Sequence, residues 1–215
     1  MKHIALLFFT LAFSFSANAG VIFYDDFTGD TSGNIADWTG EIATTGLYSP
    51  DVVQDTTFCG GILNNTCLDM DGSGANSNAD LTTALPLNLV AGDYTFSFNW
   101  GNNRGNTAYT AYDNILNWSI FSGSTTLALG FVNSGTAQDF SYELDSTAFT
   151  LASAFSNVYI RMWQSGTEGS QDGGTILDDV KLTLDQAASV PEPSILFLLA
   201  LGLLGLGSRR QYRYV

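Results

Sequence analysis

Apolar and polar residues alternate in short runs along most of the middle of the chain. In DYTFSFNW, residues 93–100, the side chains of Tyr94, Phe96, Phe98 and Trp100 fall on one phase, and polar residues take the other. This period of two is typical of a β-strand with one buried face. Comparable runs occupy residues 21–27, 115–121, 126–132, 140–144, 158–163 and 175–184. Turn-forming residues separate them.

The recurrence of these runs predicts an all-β fold, an antiparallel β-sandwich of the jelly-roll type. We assign residues 20–186 to this single domain. Helical periodicity is almost absent from it. No repeat of 20 to 50 residues is visible, which argues against a solenoid or a propeller.

The first 19 residues follow a different pattern. Lys2 lies in a weakly basic start, residues 4–15 are apolar, and Ala17 and Ala19 fit the A-x-A rule for cleavage. The apolar stretch is too short for a spanning helix and lacks its flanks. Residues 1–19 are therefore predicted to be a secretory signal peptide that is cleaved after Ala19.

The charge balance limits the partners of the chain. Its formal net charge is −14, and between residues 20 and 189 three basic residues, Arg104, Arg161 and Lys181, face 20 acidic ones. Such a surface repels nucleic acid and anionic membranes, so we expect no nucleic-acid partner. It suits a secreted protein kept soluble by charge, or one that collects divalent cations. Aromatic residues make up 13 % of the chain, enough apolar area for a folded core.

Cys59 and Cys67 are the two cysteines of the chain, within FCGGILNNTC. In an exported chain, an even count at close spacing predicts a disulfide. Metal binding is the competing interpretation. It is the weaker one, because no histidine remains after removal of the signal peptide.

Two carboxylates fall among the apolar positions of the first and last predicted strands. Asp25 shares the phase of the apolar residues in 21–27, and Asp178 shares that of the apolar residues in 176–184. A buried carboxylate needs a partner, and with few basic residues available this could be a cation or backbone amides. If the two terminal strands pair, Asp25 and Asp178 could bind one calcium ion through oxygen ligands. The alternative is that each aspartate ends its strand and caps a turn.

The residue inventory argues against catalysis. The only histidine, His3, lies in the predicted signal peptide, which excludes Ser-His-Asp or Cys-His catalysis and a His-based zinc site in the mature chain. Glycoside hydrolysis needs only two carboxylates, but Glu41, Glu143 and Glu168 lie in no distinctive motif. We therefore predict a non-enzymatic protein, with a secreted glycan-cleaving hydrolase as the alternative.

The segment from 187 to 215 has three parts after a short linker. Pro191-Glu192-Pro193 comes first, an apolar run over residues 194–207 follows, and Arg209 and Arg210 lie in the basic end. As a helix, the apolar run would span about 21 Å, whereas a bilayer's hydrocarbon core is about 30 Å thick. We expect a short or transient membrane anchor whose arginines stay in the cytoplasm.

This order of parts closely resembles the PEP-CTERM sorting domain, on Pro191, Glu192, Pro193, Arg209 and Arg210. The resemblance implies that an exosortase, a membrane transpeptidase-like enzyme, processes the tail near the Pro-Glu-Pro element. It also implies a Gram-negative bacterium that makes exopolysaccharide and biofilm. The domain before the tail looks like the jelly-roll ectodomains often joined to it, on the segments LDMDGSG, AGDYTFSFNWGNNRGN and TILDDVKLTL.

The combined prediction is an exported protein, anchored transiently in the inner membrane by its C-terminal helix. It would then reach the cell surface or the extracellular matrix. We expect its domain to bind exopolysaccharide or calcium. The alternative outside the enzyme class is a structural matrix subunit without a ligand.

Overall fold

A computed structural model of the chain describes residues 19–31, 34–40, 50–54, 59–60, 65–70, 79–102, 115–133, 142–165 and 175–187. These residues form twelve β-strands and no helix. None of the described segments is a helix that could cross a membrane. The predicted signal peptide, apart from Ala19, and the predicted C-terminal helix lie outside the described residues.

The first sheet contains β1 (Gly20–Asp25), β3 (Asp51–Val53), β4 (Cys67–Asp69), β7 (Gly92–Asn102), β10 (Glu143–Leu151) and β12 (Thr175–Ala187). Its order is β10-β7-β12-β4-β3, and β1 also pairs with β12. On the side of β12 away from β7, residues 180–184 pair with β1 and residues 176–177 pair with β4. The first and last strands are therefore neighbours.

The second sheet contains β2 (Trp38–Gly40), β5 (Asp80–Thr83), β6 (Leu87–Leu89), β8 (Ile115–Ser122), β9 (Thr125–Asn133) and β11 (Phe155–Ser165). Its order is β2-β5-β11-β8-β9, and β6 also pairs with β11. All pairings between these strands are antiparallel. The prediction of an all-β antiparallel sandwich is confirmed.

The core lies between the two sheets and is rich in aromatic side chains. Phe96 of β7 packs against Trp118 of β8 with ring centroids 4.8 Å apart, so the inner faces of the two sheets meet there. Trp38, Trp100 and Trp118 are all buried in this core. Packing of this kind, rather than contact with a ligand, accounts for the three tryptophans.

A β-bulge in β12 changes which of its residues face the core. Asp179 has a φ of 51°, and the ladder to β7 shifts register after Asp178. Leu177 and Val180, on either side of the bulge, both lie in the main core, whereas Ile176 belongs to a separate small cluster. The prediction that the alternate residues from Ile176 to Leu184 share one face is therefore wrong, although Asp178 is buried as predicted. An extra residue in one strand reverses the alternation beyond it.

A second irregularity has the same effect in β1. The ladder to β12 shifts register between Val21 and Phe23. Phe23 packs edge-to-face on Trp38, whereas Val21 is exposed. The prediction that Val21 shares the buried phase of Asp25 is wrong for the same reason, and Val21 joins the outer surface of the sheet.

Candidate functional site

A groove of about 480 Å³ lies on the outer face of the first sheet. Strands β1 and β10 form its walls, and β7 and β12, which lie between them, form its floor. The lining residues are Val21 and Tyr24 of β1, Ser97 and Asn99 of β7, Leu144 of β10, and Asp179 and Lys181 of β12.

The alternation of β7 explains why polar groups reach this surface. Phe96 and Phe98 are fully buried in the core, so Ser97 and Asn99, which alternate with them, point to the opposite face. In the ladders, Lys181 lies opposite Ser97 on one side and Tyr24 on the other. One row across the three strands therefore presents a hydroxyl, an ammonium group and a phenol.

Asp179 is held by side chains from both neighbouring strands. The Tyr24 hydroxyl donates to Asp179 Oδ1 at 2.6 Å, and Asn99 Nδ2 donates to Asp179 Oδ2 at 2.8 Å. The hydrogen bond to Asp179 is the main cause that raises the pKa of Tyr24, and burial adds to it. Tyr24 thus stays a protonated donor, and each carboxylate oxygen of Asp179 keeps lone pairs for a ligand.

Lys181 supplies the positive charge of the groove. Within the described part of the chain it forms no ion pair, whereas Arg161 pairs with Asp80 on the other sheet. Tyr24 is 48 % exposed, and Val21 and Leu144 are exposed apolar side chains. Fixed donors and acceptors between apolar walls suit a ligand with many hydroxyl groups and hydrophobic C–H faces.

Asp178 lies beside Asp179 but is almost fully buried, at 1 % exposure. It accepts hydrogen bonds from Asn65 Nδ2 and from the backbone N–H of Asp179, both at 2.7 Å. Burial, followed by the charge of Asp179, raises the pKa of Asp178 to about 6. Burial and the charge of Asp178 in turn raise the pKa of Tyr142.

The structure joins Cys59 to Cys67 by a disulfide, with the Cα atoms 5.5 Å apart. The two cysteines and Ile176 form the small buried cluster that is separate from the main core, with Val53 and Tyr142 packed against it. Because Asn65 precedes Cys67 by two residues, the disulfide tethers the segment whose amide reaches Asp178. The disulfide thus supports Asn65 and Asp178, which lie directly beneath Asp179 of the groove.

Asp25 has a different set of partners. Its Oδ1 accepts a hydrogen bond from the N–H of Phe27 at 2.8 Å, and its Oδ2 accepts one from Trp38 Nε1 at 2.7 Å. Phe27 has a φ of 55°, so Asp25 ends β1 and caps the turn that follows it. Burial is the main cause that raises the pKa of Asp25.

The structure does not bring Asp25 and Asp178 together. The terminal strands do pair, but Asp25 lies opposite Val180 on the core face and Asp178 lies opposite Asn99 on the outer face. No group of three or more metal-ligating side chains occurs in the described ranges. Calcium binding by these two aspartates stays a prediction, and the geometry gives them no common site.

Sequence reasoning missed the residues that line the groove. Tyr24, Asn99, Asp179 and Lys181 were assigned only to strands, without a role. The available signal was their position on the polar phase of strands whose other phase is apolar. The three strands that carry them have to be adjacent for the signal to become a site, and the order of strands is not visible in the pattern. The sorting residues of the tail lie outside the described ranges.

Comparison with protein families identifies the tail. Residues 189–211 match the PEP-CTERM protein-sorting motif, a range that includes Pro191, Glu192, Pro193, Arg209 and Arg210. The resemblance of the tail is therefore confirmed, and the chain carries this motif. Comparison with curated proteins gives no match.

Comparison with solved structures finds similar β-sandwiches. One is TmCBM61 in complex with β-1,4-galactotriose, at 10 % identity and a TM-score of 0.47, covering 75 % of this chain and 99 % of that chain. Another is the CBM22-1 xylan-binding domain of Xyn10C from Paenibacillus barcinonensis, at 13 % identity and a TM-score of 0.45, covering 79 % and 97 %. At these values the likeness concerns the arrangement of the strands and says nothing about a ligand of this chain.

Proposed function

We propose that this protein is an exported, non-enzymatic surface or matrix protein. An exosortase sorts it through its tail, and its β-sandwich binds exopolysaccharide in the groove of the first sheet. The observation that carries the sorting function is the motif at residues 189–211. The chain is held in the inner membrane by the tail before processing, and then reaches the cell surface or the extracellular matrix of a Gram-negative bacterium.

The groove supports the binding function. Asp179 is fixed by Tyr24 and Asn99 before any ligand arrives, so little ordering is needed when it accepts hydrogen bonds from sugar hydroxyls. Hydrogen bonds to a charged acceptor are the stronger kind. Lys181 adds a donor, and Leu144 offers an apolar surface to the C–H face of a sugar ring.

The charge of the chain narrows the choice of polymer. With a formal net charge of −14, the protein repels polyanions at long range. Within the groove itself, Asp179 and Lys181 balance each other. We therefore expect a neutral polysaccharide, or neutral stretches within a mixed one, to bind best.

Sorting is tested in the host by changing the motif. The triple change Pro191→Ala, Glu192→Ala and Pro193→Ala removes the element near which an exosortase acts. We expect the variant to stay in the membrane fraction at its unprocessed mass, whereas the parent chain loses the tail. The double change Asp185→Ala and Gln186→Ala, just outside the motif, is the control. Processing of the motif variant at the parent rate, in cells with an intact exosortase, would contradict the proposal.

Binding is tested with exopolysaccharide purified from the host, with and without calcium. The mature protein is co-sedimented with the polymer, and Asp179→Asn is compared with the parent chain. The matched control is Asp37→Asn, an exposed aspartate outside the groove. We expect Asp179→Asn alone to weaken retention. If both variants are retained equally, the groove is not the binding site. Release of reducing ends from the polymer would instead favour the hydrolase alternative.

A further inference from the structure

The groove of the first sheet runs in the direction of its strands. Its walls belong to β1 and β10 and its floor to β7 and β12, and these four strands lie side by side in the order β10-β7-β12-β1. A channel with strands as its two walls is parallel to those strands. A ligand longer than the groove therefore extends along β7 and β12 and does not cross the sheet.

The exposed apolar side chains of the two walls lie at different heights along the groove. Leu144 of β10 lies opposite Asn99 of β7. Val21 of β1 and Thr95 of β7 both lie opposite Thr183, one on each side of β12. Asn99 and Thr95 are four residues apart, which is about 13 Å along a strand. A single sugar ring cannot touch both walls, so the groove fits a ligand of several linked rings.

The floor of the channel continues beyond the groove. Ser97 and Lys181 line the groove, and the next outward positions on the same strands carry Thr95 and Thr183. On the other side of β7, Ala148 of β10 lies opposite Thr95. The channel is therefore floored by short side chains in this direction, toward the start of β7 and the end of β12.

A second fixed carboxylate lies at this end of the channel. Thr95 Oγ1 donates a hydrogen bond to Asp185 Oδ2 at 2.6 Å, and Asp185 is exposed. Asp179 is held in the same way, by Tyr24 and Asn99. Each carboxylate is oriented by a neighbouring strand and keeps lone pairs for the hydroxyl groups of a ligand. The two carboxylates are six residues apart on β12, or roughly 20 Å.

We propose that the groove takes a linear polysaccharide that lies along β7 and β12 and is held at both Asp179 and Asp185. The inference rests on the proposed function of the groove and adds the length and direction of its ligand. Only a chain of several sugar rings reaches from one carboxylate to the other. The chain is unbranched over this length, because a side branch would meet the walls at Leu144 or Val21.

The length of the ligand tests the proposal. Host exopolysaccharide is partly hydrolysed in acid and separated by size, and each fraction competes with the intact polymer in the co-sedimentation assay with the mature protein. We expect competition to strengthen with fragment length until the chain spans both carboxylates. For Asp185→Ala we expect about threefold to tenfold weaker competition by long fragments, the usual effect of one lost hydrogen bond. Fragments of one or two sugar rings should compete as they do with the parent chain.

Thr95→Val is a second variant, which keeps the carboxylate of Asp185 but removes the donor that orients it. It should also weaken competition by long fragments only. Asp179→Asn should weaken competition by short and long fragments alike, because Asp179 lies within the groove. Asp37→Ala, at an exposed position outside the channel, is the matched control and should behave as the parent chain with every fragment.

The outcomes separate the inference from the proposed function. If Asp185→Ala and Thr95→Val bind long fragments as tightly as the parent chain, the polymer does not reach Asp185 and the inference is wrong. Equal competition by short and long fragments would overturn it as well. Both results would leave binding in the groove intact. A parent chain that binds neither the polymer nor any fragment would overturn the inference and the proposed function together.

Discussion

The Tyr24 hydroxyl lies 2.6 Å from Asp179 Oδ1 and connects the first strand of the domain to the last, 155 positions later in the sequence. The bond orients the carboxylate within the groove. We therefore expect Tyr24→Phe to weaken binding of host exopolysaccharide by about threefold to tenfold, the usual effect of one lost hydrogen bond. Affinity electrophoresis in gels containing the polymer measures the change.

The control for this prediction is Tyr159→Phe, because Tyr159 is a partly buried tyrosine of β11 in the other sheet. Its affinity should equal that of the parent chain. If Tyr24→Phe binds as tightly as Tyr159→Phe, the hydroxyl does not position Asp179 for the ligand.

The bulge at Asp179 restricts which residues can occupy that position. A φ of 51° is tolerated by aspartate and asparagine but is costly for a β-branched residue. We expect Asp179→Val to lower the free energy of unfolding by about 1–2 kcal/mol beyond the effect of Asp179→Asn. Urea denaturation at neutral pH measures both. Equal stability of the two variants would mean that the bulge is not strained by a β-branched residue.

Gly130 allows Trp118 to pack in the core. A Cβ atom at Gly130 would lie 2.6 Å from Trp118 Cζ2, which is closer than two non-bonded carbon atoms can approach. Gly130→Ala should therefore lower the free energy of unfolding by about 1–3 kcal/mol and change the fluorescence of the buried indole. Thr126→Ala, on the same strand but exposed, is the control. An unchanged Gly130→Ala protein would show that Trp118 can move aside at no cost.

Asp178 gives the stability of the domain a pH dependence with a definite sign. Its folded pKa of about 6 is above its ordinary value of 3.8, so between these two pH values the folded state holds a proton that the unfolded chain releases. The contribution of Asp178 is therefore stabilising below about pH 4 and is lost as the pH rises to about 6. The full loss is about 3 kcal/mol.

Asp178→Asn tests this dependence, because asparagine does not titrate. The difference in unfolding free energy between the parent chain and the variant should decrease from pH 4 to pH 6 and stay level above pH 6. Thr126→Ala, at an exposed position and without a titrating side chain, should leave the curve of the parent chain unchanged in shape. Parallel curves for the parent chain and Asp178→Asn would contradict the assignment.

The disulfide should contribute to stability through the chain entropy of the unfolded state. For a loop closed by Cys59 and Cys67, which are eight positions apart, the double change to serine should cost about 2–3 kcal/mol. The double change should also weaken polysaccharide binding, because the tethered segment holds Asn65 against Asp178 beneath the groove. Thermal unfolding with and without reductant measures the loss of stability. A reduced protein as stable as the oxidised one would contradict it.

The sequence pattern predicted the fold class well and the site poorly. Alternation in DYTFSFNW identified β7 and its buried face, because a regular strand keeps its period throughout. In β12 the extra residue at Asp179 breaks that period, and alternation alone does not reveal a bulge. Asp178 is buried as the pattern predicted, but it lies on the outer face of the sheet, which alternation could not show, so it shares no site with Asp25.

Strand order was the other information that the pattern lacked. Tyr24 and Asp179 meet because β1 pairs with β12, and Asn99 joins them because β7 pairs with the other side of β12. Pairings this distant in sequence depend on the packing of the whole sandwich. The tail was predictable because its motif is one continuous stretch of sequence, which can be recognised without knowing which strands pair.

The central place of β12 has a mechanical consequence. The strand runs from Thr175 to Ala187, is hydrogen-bonded to β7 on one side and to β1 and β4 on the other, and ends two residues before the sorting motif. In the function that we propose, a pull on the tail would be opposed by a polymer held in the groove and would act along β12. Its many hydrogen bonds then share the load in shear, instead of opening one after another. Under that proposal, the strand that lines the groove would also be the one that bears tension between the cell and the matrix.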